Sequence, residues 1–223
     1  MNKIKPLKEY EAKRQFSKTE EPPPKTKSSR TGTLFVIQKH RASHLHYDLR
    51  LEMDGVLKSW AVPKGPSLDP SVRRLAMAVE DHPLDYADFE GIIPEGEYGG
   101  GTVMVWDRGT YAPENNMAGG LSKGELKFTL QGTKLKGSWV LVRTSGRQWL
   151  LIKHRDQHAT TEDITLAAPR SVVTQRTLAE IAEDEGGNIE KAAAGDPSVL
   201  PALVGRKRRA KSKPDRKSTR SLA

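Results

Sequence analysis

In the segment LHYDLRLEM (45–53), an extended backbone sends alternate side chains to opposite faces. One face collects His46, Asp48, Arg50 and Glu52, and the other collects Leu45, Tyr47, Leu49, Leu51 and Met53. A solvated strand face would look equally charged, so other residues must decide whether this one does chemistry. His40 precedes the run by a short RASHL segment, read as a loop that folds back and lets His40, His46 and Asp48 converge. Two imidazoles and a carboxylate are a common ligand set for Mn²⁺, Zn²⁺ or Fe²⁺ and leave positions open for water or a substrate oxygen. Arg50 on the same face points to a phosphate substrate, because its planar fork matches phosphate oxygens.

A second alternating run, RLAMAVEDH (74–82), puts Arg74, Ala76, Ala78, Glu80 and His82 on one face, where the alanines would leave room for a ligand. Tyr86, in the turn that follows, is placed to bond a phosphate oxygen, although packing explains it equally well. His44 shares the loop with His40 and competes as a ligand less well. The glycine run PEGEYGGG (94–101) resembles a phosphate cradle, but it precedes a strand and reads as a flexible loop or bulge. Trp60, Trp106, Trp139 and Trp149 fall in strand patterns and are assigned to the core.

Eight short runs carry strand patterns: 34–38, 45–53, 56–62, 74–80, 102–106, 125–130, 135–144 and 148–154. Met53-Asp54-Gly55 and Ser145-Gly146 are hairpin turns. No long 3.6-residue periodicity interrupts residues 34–154, so the fold class is all-β. The expected architecture is a closed antiparallel barrel of about eight strands, with few short helices and disordered basic termini. The expected organisation is an arm or linker over 1–32, the barrel over 33–156, an extension over 157–204 and a basic tail over 205–223. Within the extension, 172–184 reads as a short helix starting near Thr177.

The absence of cysteine excludes disulfides and thiolate metal sites, leaving histidine and carboxylate as ligands and fitting a reducing cytoplasm. A start without an apolar h-region, and no run of about eighteen apolar residues, argue against secretion and membrane spanning. The net charge of +9 is uneven: residues 205–223 carry +8 and residues 1–30 carry +5, leaving −4 on residues 31–204. The tails therefore suit general attraction to nucleic-acid phosphates, while the central domain has to recognise phosphate locally. A solvated, solubilising tail is the plainer alternative.

The segments FVIQKHRASHLHYDLRLEMDGVLKSWAVPKGPS (35–67), VEDHPLDYADFEGIIPEGEYGGG (79–101) and VWDRG (105–109) closely resemble the 3′-phosphoesterase module of bacterial DNA ligase D. The resemblance implies a β-barrel that heals 3′ ends before ligation. It would remove a terminal ribonucleoside and then the 3′-phosphate to leave a 3′-OH, with manganese as the usual metal. It makes His40, His46 and Asp48 the metal ligands and sets Arg50, His82 and Tyr86 around the scissile phosphate. Gln38, Lys64, Arg74 and Glu80 become supporting residues. The stretch KEYEAKRQFSKTEEP resembles the family's substrate-engaging arm, with Arg14 and Glu21 at positions tied to nucleoside removal. Gln15 stands where the family has Asp, which makes the phosphodiester step less secure than the phosphomonoester step. The chain then reads as a freestanding, monomeric, nucleoid-associated form that meets DNA or DNA/RNA 3′ ends, and a separate DNA ligase, in the cytoplasm.

On this reading Arg50 and His82 offset charge on the phosphate, and a protonated His82 is the general acid. Two rivals remain. One is a non-haem iron oxygenase with His46, Asp48 and His82 as a facial triad; the other is a non-catalytic module that binds DNA ends or recruits repair partners.

Overall fold

A computed structural model describes residues 7–27, 29–30 and 32–200. The tail 205–223, expected to be disordered, lies outside the described residues, as do residues 1–6. The strands are β1 (Leu34–Arg41), β2 (Leu45–Met53), β3 (Val56–Val62), β4 (Arg73–Ala78), β5 (Gly91–Ile93), β6 (Gly101–Pro113), β7 (Glu125–Gly132), β8 (Lys136–Ser145) and β9 (Gln148–Lys153). They pair antiparallel in the order β1-β2-β3-β4-β9-β8-β7-β6-β5, and the pairing of β1 with β6 closes eight of them into a barrel. The short β5 adds to the start of β6. It was not legible as a strand because GII is too short to show alternation.

The turn between β2 and β3 is a two-residue hairpin in which Asp54 (φ 52°) and Gly55 (φ 79°) are both left-handed, matching the right-handed strand twist. That turn sets Met53 opposite Val56 and, three residues back, Arg50 opposite Ser59. One correction concerns His40. It lies within β1, directly opposite His46, so β1 continues past the predicted Gln38 and the loop shrinks to 42–44.

Inward-facing side chains, including Phe35, Ile37, Tyr47, Leu49, Leu51 and the four tryptophans, fill the barrel. A second apolar cluster lies outside the barrel against β1, β3 and β6. Leu7, Tyr10, Leu84, Tyr86, Ala87 and Phe89 cover Val36, Val56, Leu57, Val103 and Val105 there. The arm supplies part of this cover through helix α1 (Lys8–Ala12), and a 3₁₀ turn at Leu84–Asp88 supplies the rest. The predicted face of the 74–82 run also needs correction. β4 ends at Ala78, Ala76 packs inside the barrel, and Glu80 and His82 turn to the outer side, so no alanine-lined ligand space forms there.

Two further short helices, α2 (Met117–Lys123) and α3 (Ile164–Ala167), precede α4 (Leu178–Glu185) and α5 (Ile189–Ala193). Thr177 caps α4 with a full capping box through Glu180. Leu178, Ile181, Ala182 and Ala192 join the barrel core. Beside them Asp196 accepts from the Leu178 and Ala179 amides and lies 3.5 Å from the buried Lys39 ammonium, whose pKa burial lowers. Removing one member of a buried pair typically costs about 3–5 kcal/mol. Asp196→Ala should lower unfolding stability in urea by that amount, and adding Lys39→Met should recover much of it. Equal stability of Asp196→Ala and the parent would show that Lys39 needs no partner.

Candidate active site

The outward row of β1 carries Val36, Gln38 and His40, and the facing row of β2 carries Arg50, Asp48 and His46 in direct register. His40 and His46 meet edge to face, with ring centroids 4.8 Å apart. Nε2 of His40 lies 2.8 Å from the Gly99 carbonyl oxygen and Nδ1 of His46 lies 3.1 Å from the His44 carbonyl oxygen. A carbonyl only accepts, so each of these nitrogens carries the proton and the opposite one keeps its lone pair. Those lone pairs, His40 Nδ1 and His46 Nε2, lie 3.9 and 3.7 Å from Asp48 Oδ2. His44 itself is exposed and contributes its carbonyl to the orientation of His46.

Two ligand atoms each roughly 2.1 Å from one ion are at most about 4.2 Å apart. The three donor atoms lie within 4.8 Å of one another, so a contraction of well under an ångström brings them to one divalent cation. The backbone carbonyls that fix both tautomers are the support such ligands use. The donor set and its orientation therefore fit a metal.

Arg50 is 3% exposed, and each of its three guanidinium nitrogens has a partner. It donates to Gln38 Oε1 (2.8 Å), Ser59 Oγ (2.9 Å) and Asp48 Oδ2 (3.1 Å), and its guanidinium lies 4.8 Å from the centre of the Tyr86 ring. Burial works against the Asp48 carboxylate, but Arg50 and His46 hold its pKa well below the usual range. Burial, then the charge of His46, pushes His40 down to about 4. Burial opposes charge on His46 too, yet the negative Asp48 carboxylate beside it raises its pKa overall.

Gln38 is fully buried. Its amide donates to the Tyr86 and Phe89 carbonyls (2.9 and 2.8 Å) while its oxygen receives Arg50, so it locks the wall together and faces no open substrate space.

The arm closes over this wall. Arg14 donates to Glu21 Oε1 (2.8 Å) and Glu80 Oε1 (3.3 Å), lies 3.2 Å from His82 Nε2, and stacks 3.8 Å from the centre of the Tyr10 ring. Glu21 also receives the Tyr86 hydroxyl at 2.9 Å, and Glu80 receives Lys13 at 3.0 Å. Glu80 and Tyr86 are thus spent on anchoring the arm. Gln15 is exposed.

His82 differs from the expected protonated acid. Arg14 faces its Nε2, Arg50 lies 2.9 Å from its Nδ1, and Ser59 Oγ lies 3.3 Å from the same nitrogen. Burial and these two guanidiniums hold its pKa well below the ordinary value, so the ring is neutral. With both nitrogens committed to this inner layer, His82 does not join His46 and Asp48, and the facial triad of the oxygenase reading is not assembled. Lys64 is exposed just beyond β3. Arg74 lies on the barrel-core side of β4 with its Nε buried and unbonded. Among the described residues, neither Lys64 nor Arg74 has a polar contact with the cluster.

Four contributors were missed in the sequence: Ser59, Tyr10, Lys13 and Tyr98. Ser59 was within reach, because the Asp54-Gly55 turn fixes the register that puts it opposite Arg50.

Comparison with known proteins now decides the family. The DNA ligase D 3′-phosphoesterase domain matches residues 38–143, the stretch that runs from Gln38 through the ligand cluster to β8. The barrel is a DNA ligase D 3′-phosphoesterase module. Over 187 residues, 80% of the chain, it is 54% identical to the multifunctional non-homologous end joining protein LigD of Pseudomonas aeruginosa, covering 22% of that protein. It is 48% identical over 152 residues to the LigD of Mycobacterium bovis and 46% identical over 156 residues to that of Mycolicibacterium smegmatis. These matches cover 68% and 66% of the chain, and 20% of each relative. The chain thus spans about a fifth of the length of these curated relatives.

The module should be acid-sensitive. His82 is depressed in the fold, so below the free histidine pKa of about 6.5 the unfolded chain binds a proton that the folded chain refuses, and stability falls as pH falls. His40 acts in the same direction between about 6.5 and about 4, and the raised His46 opposes them. Metal-free protein should lose about 1–3 kcal/mol between pH 7.5 and 5 in urea unfolding. The loss should be smaller in His82→Gln; an identical loss would show that His82 titrates normally.

Proposed function

We propose that the module is a metal-dependent phosphoesterase acting on nucleic-acid 3′ ends in non-homologous end joining. It would remove a terminal ribonucleoside and then the 3′-phosphate to leave a 3′-OH for ligation. The observation that carries this reading is the pair of lone pairs aimed at Asp48 immediately beside the buried fork of Arg50. Manganese, or another divalent ion such as zinc, would supply Lewis acidity toward a phosphoryl oxygen and water when bound.

The chain's own residues do the remaining work. Arg50 is held by Gln38, Ser59 and Asp48, so its positive charge is fixed beside the donor cluster, where it would offset charge on a phosphoryl oxygen. Arg14 supplies a second guanidinium from the arm, and the neutral His82 lies between the two as a hydrogen-bonding partner. A phosphate bound there brings negative charge that opposes the two guanidiniums and favours protonation of His82, so a role in proton transfer would begin only with substrate in place. Basic tails of +8 and +5 suit recruitment of a polyanion to a central domain of −4. A DNA ligase is the partner that would consume a 3′-OH end.

The test is a labelled primer–template ending in a 3′-ribonucleotide or a 3′-phosphate, incubated with Mn²⁺ or with EDTA and resolved on a denaturing gel. Shortening and dephosphorylation should occur only with metal. His46→Ala, Asp48→Ala and Arg50→Ala should each lower the rate at least about 10²–10³-fold. Full activity in EDTA would remove the metal from the reading, and binding without product would make the module a passive end-binder.

A further inference from the structure

Among the exposed large apolar residues of the described chain, Tyr98 is the one aromatic, with 51% of its surface open. It belongs to neither apolar cluster. Its position is nevertheless closely set. The next residue, Gly99, is left-handed (φ 80°) and presents the carbonyl that orients His40. A Cβ at Gly100 would come within 2.7 Å of the Pro94 carbonyl oxygen, so the turn is compact and built for glycine.

On its other side, the Tyr98 hydroxyl lies 3.4 Å from Lys13 Nζ, which also bonds Glu80, and that ammonium lies 4.7 Å from the ring centre. The Arg14 guanidinium lies 5.9 Å from the same ring. The ring therefore stands between the arm and the His40 edge of the ligand cluster. It is propped by a cation, and half of its surface remains open.

An exposed ring beside a phosphate site is the arrangement that proteins use to stack nucleobases, which all present a π-face whatever their identity. We propose that Tyr98 stacks on a base within one or two nucleotides of the scissile phosphate, making it a substrate-positioning residue that tolerates any base. This rests on the 3′-end reading above and adds how the strand would be held.

The experiment compares kcat/KM for a 3′-phosphorylated oligonucleotide carrying all its bases with that for the same strand abasic at its last two positions. Wild-type protein should prefer the base-bearing strand by about 5–150-fold, the range of a single base–aromatic stack. Tyr98→Ala and Tyr98→Leu should bring that preference close to one, while Tyr98→Phe and Tyr98→Trp should keep it. Tyr98→Leu retains apolar bulk, so it separates loss of the ring from loosening of the Gly99 turn. An unchanged preference in Tyr98→Leu, or an equal loss on both strands, would overturn the stacking role. Wild-type protein inactive on both strands would instead overturn the 3′-end reading itself.

Discussion

Burial of the Arg50 guanidinium is the constraint around which the site is organised. A charge withdrawn from water costs several kcal/mol unless nearly every donor finds an acceptor and a countercharge is close. Arg50 meets that requirement with Gln38 from β1, Asp48 from its own strand and Ser59 from β3. Each partner is correct only in one register, since a slip of one residue would turn every side chain to the opposite face. The same Asp48 oxygen that balances Arg50 faces the lone pairs of His40 and His46. The donors proposed for a metal and the guanidinium proposed for a phosphate thus share a single carboxylate.

The roof extends this charge balance. Arg14 and Lys13 reach over the wall and are met by Glu21 and Glu80, so Arg50, Arg14 and Lys13 face Asp48, Glu21 and Glu80. Lys13 also pairs with Glu9 at 2.8 Å, so these three cations are met by four carboxylates. A divalent cation and a phosphate dianion entering together would leave that balance unchanged. His82 completes the arrangement by remaining uncharged between two guanidiniums, where a third positive group would be repelled.

What was legible in the sequence is what local alternation controls. His46, Asp48 and Arg50 share a face because a strand repeats every two residues, and hairpin glycines marked where strands reverse. His40 reads as a loop residue from sequence because its membership of β1 depends on pairing with β2 and β6, a long-range fact. The 74–82 alternation misled for a related reason. β4 stops at Ala78, and once the ladder ends the period of two no longer dictates where Glu80 and His82 point. The arm was hardest to read, because a Pro- and Lys-rich segment has too little apolar surface to fold by itself. It is ordered by docking Leu7 and Tyr10 into a cluster built by the barrel wall.

The position of the site on the outer wall follows from the packing of the interior. Four tryptophans and their neighbours pack the barrel interior, the polar row lies on the outer wall, and keeping water from it needs a cover on that side. The arm and the 84–93 segment provide it, which forces substrate to arrive at an edge. The ligand side chains mark which edge: His46 is 23% exposed, against 8% for His40 and 9% for Asp48. Arg50 and His82 lie deeper, at 3% and 4%. A phosphate entering beside His46 would therefore meet the donor cluster before the guanidinium.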